Sequence, residues 1–309
     1  MSGYLSNACI TSRLQFSIYH RTSLNNRKLV DLRIETTMIS TVSRNKCAKR
    51  ALLSHCKVSV QHASNYKDLK SNKEGLSYAL DSTMRDGDHD MKTFGLGFLR
   101  SVSSTAHQAH TMASLRAPYS VLEDAFDRAQ PNSRAAIFWK HFGNDVRKAA
   151  LLEHDLKSLG GNDIPTPAAA KYVASIQRAS EDMIEGDPAS KGDLLLGHAY
   201  VRYLADLFGG SMLGNPTRLA LALKKQPTFF DFPPAISVDR MAYIESFYKE
   251  LNVAGLGMDE IRQNQIVKEA KDAFRHNAEI YKERPYLYLG AIRGGGNIAA
   301  GYLRERMGM

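Results

Sequence analysis

From Leu76 onward, apolar residues return at every third or fourth position, and no run bounded by turn residues alternates them at every second. Side chains three and four apart share one face of a helix, whereas a half-buried strand needs a period of two. Leu76, Leu80 and Met84 stand four apart in GLSYALDSTMRDGDHDMK, and TMASLRAPYSVLEDAFDRA continues the pattern. RKAALLEHDLKSL is amphipathic and runs into the breakers of GGNDIPTP. TPAAAKYVASIQRASEDM comes next, with Pro165 and Pro167 at its start, where a missing N–H removes no helical bond. After the turn EGDPASKGD come LLLGHAYVRYLADLF, the loop PTFFDFPP, then DRMAYIESFYKELN and EIRQNQIVKEAKDAFRHNAEIYKE. The pattern predicts an all-α body of about eight helices. The alternation of helix and strand that a doubly wound fold needs is absent, as are internal repeats and phosphate-binding glycine motifs.

The net charge of +9 suggests nucleic acid until it is located. Residues 1–66 carry ten Lys and Arg against two Asp and Glu, while the remainder carries 31 against 30. The basic excess therefore belongs to the N-terminal segment, and a nucleic-acid partner loses its motivation. Cys9, Cys47 and Cys56 all lie in that segment, so a disulfide framework or thiolate metal site is unavailable to the body. Rich in Ser, Thr, Asn and Arg and poor in acids, residues 1–66 have the composition of an organelle transit peptide. A disordered basic extension is the alternative. The domain reading is thus 1–66 as extension, 67–285 as the helical domain and 286–309 as a Gly-rich basic C-terminal tail. With no apolar run of eighteen residues, a membrane anchor is not expected.

Within GHAYVRYLADLFGGS, His198, Arg202 and Asp206 are spaced four apart and form one polar stripe on an ideal helix. An exposed Arg–Asp pair there would be worth only a few tenths of a kcal/mol, on the order of 0.3. Gly209 and Gly210 inside a helix would each cost about 1 kcal/mol relative to Ala. Such a sequence fits a backbone that must bend or approach a flat object closely. It also fits a helix that simply ends at Gly209.

HAYVRYLADLFGGS resembles the signature helix of the heme oxygenase family. TMASLRAPYSVLEDAFDR, RKAALLEHDL, TPAAAKYV and EAKDAFRHN resemble four further family segments in the expected order, so the likeness extends over most of residues 76–285. The resemblance implies a single-domain multi-helix bundle with heme sandwiched between a proximal and a distal helix. It implies cleavage of heme at the α-meso position, with O2 and electrons, to biliverdin, Fe2+ and CO. Carried over residue by residue, Asp206 holds the distal water that serves dioxygen, and Arg202, Tyr119, Tyr172 and Asn277 fix that water network. Gly209 and Gly210 let the distal helix flex. Tyr200 and Lys249 face the propionates, although FYKELN is one residue tighter than the family spacing. Ala205 stands where many members have glycine.

The iron ligand implied by the resemblance is His89, in MRDGDHDMKTFGLGFLRS, with Arg85 toward a propionate. His89 lies one residue off the family spacing counted from GFLR and lacks the Ala-Glu that usually comes after the ligand. Asp88 or Asp90 would replace that Glu in orienting the imidazole. His107 and His110 in TAHQAHTMASL compete for the role but read as ordinary helix residues, and His198 reads as a structural hydrogen bonder. A transit peptide on an anchor-free chain points to the plastid stroma, or alternatively a mitochondrion. Reduced ferredoxin is then the expected electron donor, a bilin reductase the downstream partner, and a monomer the expected state. A non-catalytic tetrapyrrole-binding or scaffold protein of the same fold is the alternative. A related helical hydrolase of thiamin salvage would need a nucleophilic cysteine that the body lacks.

Overall fold

The computed structural model describes residues 74–85, 91–162, 164, 166–283 and 287–308. The N-terminal extension and His89 lie outside the described residues, and so does the Arg85 side chain. All regular structure among the described residues is helical, apart from one isolated bridge between Ile184 and Asp187.

The helices are α1 (Gly75–Arg85), α2 (Met91–Ser101), α3 (Thr105–Asp127), α4 (Arg134–Val146), α5 (Ala149–Ser158) and α6 (Pro167–Glu181). Then come α7 (Leu195–Ala199), two π-helical turns (Tyr200–Leu204 and Asp206–Gly210) and α8 (Ser211–Ala220), which together form one continuous distal helix. The chain continues with α9 (Pro234–Ser237), α10 (Arg240–Ala254), α11 (Glu260–Lys282) and α12 (Leu287–Arg306). There are more elements than the sequence pattern suggests, because the distal helix changes type along its length and the last segment is itself helical.

Helix starts obey local chemistry. Ser104, Ser133, Thr166, Asp239 and Asp259 each accept a backbone N–H three residues on, satisfying a donor that the first turn leaves unpaired. Leu76 and Leu80 of α1 are fully buried, as their spacing requires.

α3 packs most extensively on α5 and α6, and α11 runs against α1, α6 and α7. The core they enclose is unusually aromatic. Phe126 stacks on Trp139 at 4.7 Å, and Phe138 meets Phe142 and Phe247 at 5.2 and 5.1 Å. Tyr119, Tyr172, Tyr203 and Tyr248 are wholly buried as well. Buried phenols need partners or a functional reason, and they lead directly to the distal helix.

Candidate active site

The distal helix does not end at the glycines. It passes through Gly209 and Gly210 into α8, and its middle widens into the π turns. Such turns are frequent where a helix serves a site.

Four of the residues singled out in the sequence meet here. Tyr119 of α3 donates its phenolic hydrogen to Asp206 Oδ2 in a short hydrogen bond. The Arg202 guanidinium lies 4.4 Å over the Tyr119 ring and donates from Nη1 to Asn277 Oδ1 on α11. Burial raises the Asp206 pKa, while the nearby charges of Arg202 and Lys148 and the Tyr119 hydrogen bond pull it back. Burial also pushes Tyr119 well up, so it stays a neutral donor. Burial works against the charge on Arg202, but the surrounding phenols and Asp206 raise its pKa further. The result is a buried cation, a fixed phenol and a carboxylate poised to take a proton above its usual range.

Tyr172 borders this set. Its ring stacks on His276 at 5.6 Å and lies 5.6 Å from the His198 ring. Its hydroxyl is buried with no hydrogen-bond partner among the described residues, as are Arg202 Nε and the Tyr203 hydroxyl. His198 is fully buried, with Nε2 at 3.0 Å from Glu269 Oε1. It thus has the structural hydrogen bond read from the sequence.

The helix face beside Asp206 is bare. Ala205 is exposed. A Cβ added at Gly209 would meet nothing within 4 Å, and one at Gly210 would lie 3.6 Å from Asp206 Oδ1. The free carboxylate oxygen therefore turns toward the glycine face. A ledge carrying no side chain larger than the Ala205 methyl, bordered by a carboxylate and with unpaired buried polar atoms behind it, fits a flat macrocycle and an ordered water.

Tyr200 and Lys249 do not join this set. Tyr200 was expected to face a propionate. Its hydroxyl instead donates to Asp81 Oδ1 of α1 at 2.7 Å, beside the Tyr248 hydroxyl at 3.1 Å from the same oxygen. Lys249 is exposed, and its neighbour Tyr248 takes the inward position. The expected single stripe is also broken: His198 and Arg202 reach α11, whereas Asp206 turns to α3. The first π turn causes this, because it absorbs an extra residue and rotates the helix beyond it.

Several contributors escaped the sequence reading. Lys148 is buried and donates to the Phe229 and Asp231 carbonyls, both at 2.9 Å, with its ammonium 3.8 Å over the Phe232 ring. Glu123 accepts the Lys148 and Ala149 N–H groups at 2.7 and 3.0 Å. Asp155 accepts from Thr228 N and Phe229 N at 2.9 and 2.7 Å, fixing the loop that places Phe229 5.9 Å from Tyr119. Lys148 and Asp155 sit in RKAALLEHDL, so the motif pointed to them without giving their roles.

This fold and site define a helical protein in which a continuous helix distorted by π turns offers an open face for a flat ligand and a half-buried acid beside it. The chain belongs to the heme oxygenase family, whose model matches residues 87–283. It is 32% identical to heme oxygenase 2 of Synechocystis over 205 residues, covering 63% of this chain and 76% of that protein. It is 31% identical to rat heme oxygenase 1 over 180 residues, 56% of this chain and 57% of that one, so it spans little more than half the length of such relatives. Among solved structures, Synechocystis heme oxygenase-2 in complex with heme and NO matches with a TM-score of 0.53 at 28% identity, covering 66% of this chain and 84% of that one. Heme oxygenase 2 of Chlamydomonas reinhardtii without heme matches in fold, with a TM-score of 0.54 at 21% identity over 69% of this chain and 98% of that one. No helix among the described residues is long and apolar enough to cross a membrane.

Proposed function

We propose that the chain is a catalytic heme oxygenase, taking heme, O2 and electrons to biliverdin, Fe2+ and CO. The observation that carries this reading is the Asp206 carboxyl, held by Tyr119 on one oxygen and turned toward the glycine face with the other. Bound heme would supply both the iron centre that activates dioxygen and the ring that is oxidised. The protein supplies the rest. Tyr119 fixes the Asp206 rotamer, and the Arg202–Asn277 pair holds the buried cation beside it. The free Asp206 oxygen is the natural acceptor for a water, and its raised pKa suits it to pass a proton through that water. Gly209 keeps side chains off the ledge on which the macrocycle would lie. His89, in the segment between α1 and α2, supplies the imidazole ligand, and Arg85 meets a propionate. The relative solved with heme and NO supports a heme site in this fold.

The finer reading rests on the N-terminal composition. Residues 1–66 direct import into a plastid, reduced ferredoxin donates the electrons, and a bilin reductase consumes the product of a monomeric enzyme.

The test is a hemin titration of the protein beside His89→Ala. A sharp Soret band is expected, shifted or lost in the variant and recovered with imidazole. Reduced ferredoxin or ascorbate should then bleach it and produce a biliverdin band. A Soret band indifferent to His89→Ala, with no bleaching, would leave a heme-oxygenase-shaped binder or scaffold.

A further inference from the structure

The C-terminal helix α12 lies beyond the family match, which ends at residue 283, yet it is not a loose tail. It packs chiefly on α2 and α8. α2 packs through Phe94 on Tyr281 of α11 at 5.2 Å, and α8 continues the distal helix past Gly209 and Gly210.

The contacts are made at helix ends. The last carbonyls of a helix have no partner within it. At the end of α2, Asn297 Nδ2 donates to the Val102 and Ser103 carbonyls at 3.2 and 3.1 Å. At the end of α8, Arg304 Nη2 donates to the Leu219 carbonyl at 3.2 Å. Each capping side chain is preceded by a glycine three residues earlier, pressed onto the same helix end. A Cβ at Gly294 would penetrate the Leu99 carbonyl oxygen, and one at Gly301 would lie 2.5 Å from the Leu219 carbonyl oxygen. Gly-x-x-Asn and Gly-x-x-Arg thus repeat seven residues apart, two helical turns and about 10 Å along α12.

Two further glycines weaken the helix without serving the attachment. Gly295 and Gly296 face open space, so packing does not require them. Five glycines in a helix of 20 residues weaken it by about 1 kcal/mol each relative to Ala. Such a helix persists because it is docked, and undocking and unfolding proceed together.

We propose that α12 is a strap that ties α2 to α8 and governs how readily the two sides of the site part to admit heme and release tetrapyrrole. The strap takes its ligand from the heme reading, but its mechanical part stands apart from that reading. Two glycines two residues apart give a matched test in the full chain. Gly294→Ala forces the strap off α2, while Gly296→Ala raises helix propensity in open space. Asn297→Ala combined with Arg304→Ala removes both caps and keeps the glycine seats.

In hemin-loaded protein, transfer of heme to excess apomyoglobin is monitored at the Soret band. Gly294→Ala and the double variant are expected to release heme at least tenfold faster, and Gly296→Ala at or below the wild-type rate. Hydrogen exchange on the apoprotein reads the strap without heme: residues 91–101 and 211–220 exchange faster in Gly294→Ala and not in Gly296→Ala. If Gly294→Ala loosens α12 while exchange in α2 and α8 and heme release stay at wild-type rates, the proposal is overturned. If the wild type shows no Soret band, the heme reading fails, and exchange alone decides the strap.

Discussion

Glu269→Gln separates charge from shape at the base of the distal helix. The Glu269 carboxylate is almost wholly buried and lies 3.0 Å from Ser175 Oγ, Arg178 Nη2 and His198 Nε2. Burial alone would raise its pKa, but the His198 hydrogen bond and charge, with Ser175 and Arg178, lower it from 4.5 to about 2. That difference corresponds to about 3 kcal/mol of stability at neutral pH. A carboxyl depressed on folding contributes stability that is fully present above the unfolded pKa of 4.5 and is lost as pH falls through about 2. By pH 3 the contribution has fallen to about 1.4 kcal/mol. The Arg178 side chain is 62% exposed, so its share is screened and the loss at pH 7 is set at about 2–3 kcal/mol. Urea unfolding of wild type and Glu269→Gln, from pH 7 down to pH 3, measures it. The gap between the two proteins should shrink by more than half over that range. An equal gap at both ends would mean that the carboxylate acts through shape and neutral hydrogen bonds, refuting the electrostatic account.

Asp155→Ala strips three donors from one buried carboxylate, Thr228 N, Thr228 Oγ1 and Phe229 N, and should cost about 2–4 kcal/mol in thermal unfolding, with faster exchange at 228–230. Tyr119→Phe removes a hydrogen bond that lowers the Asp206 pKa, so hemin titration should be unchanged while turnover falls about tenfold and its acidic limb moves to higher pH. Gly197→Ala places a Cβ 2.8 Å from the Ile266 carbonyl oxygen and should destabilise by about 1–3 kcal/mol, despite the better helix propensity of Ala. Gly209→Ala meets open space, so the apoprotein should gain up to about 1 kcal/mol while hemin affinity falls; equal effects of the two glycine changes on melting would contradict the packing described.

What the sequence disclosed depended on how local the signal was. Helix positions came from periodicity, since a buried face must repeat with the helix. Pro167 announced the start of α6 for the same local reason. The convergence of Tyr119, Arg202, Asp206 and Asn277 came from resemblance and not from spacing, because Tyr119 and Asp206 are 87 residues apart. Nothing local tells Tyr200 that its acceptor is Asp81, 119 residues away, rather than a ligand carboxylate. Nothing local marks Lys148 as buried, since burial of its ammonium depends on the two carbonyls that the 229–231 loop brings to it. The last segment misled most. Its glycines lower intrinsic helicity, so composition reads as a tail, yet two of them are the seats that make α12 a packed helix.

The paired glycines and the polar ladder of the distal helix have a common explanation. On an ideal α-helix, His198, Arg202 and Asp206 would all face α11. Each π turn takes in one residue more than an α turn and rotates the rest by about 100°. His198 and Arg202 therefore find Glu269 and Asn277 on α11, while Asp206 swings to Tyr119 on α3. The same rotation brings Ala205 and Gly209 to the open side. A straight helix could satisfy the arginine or the aspartate, but not both while keeping a bare face between them. The local distortion thus creates the acid and the ledge together, and the glycines lie where a side chain would cover what the distortion exposes.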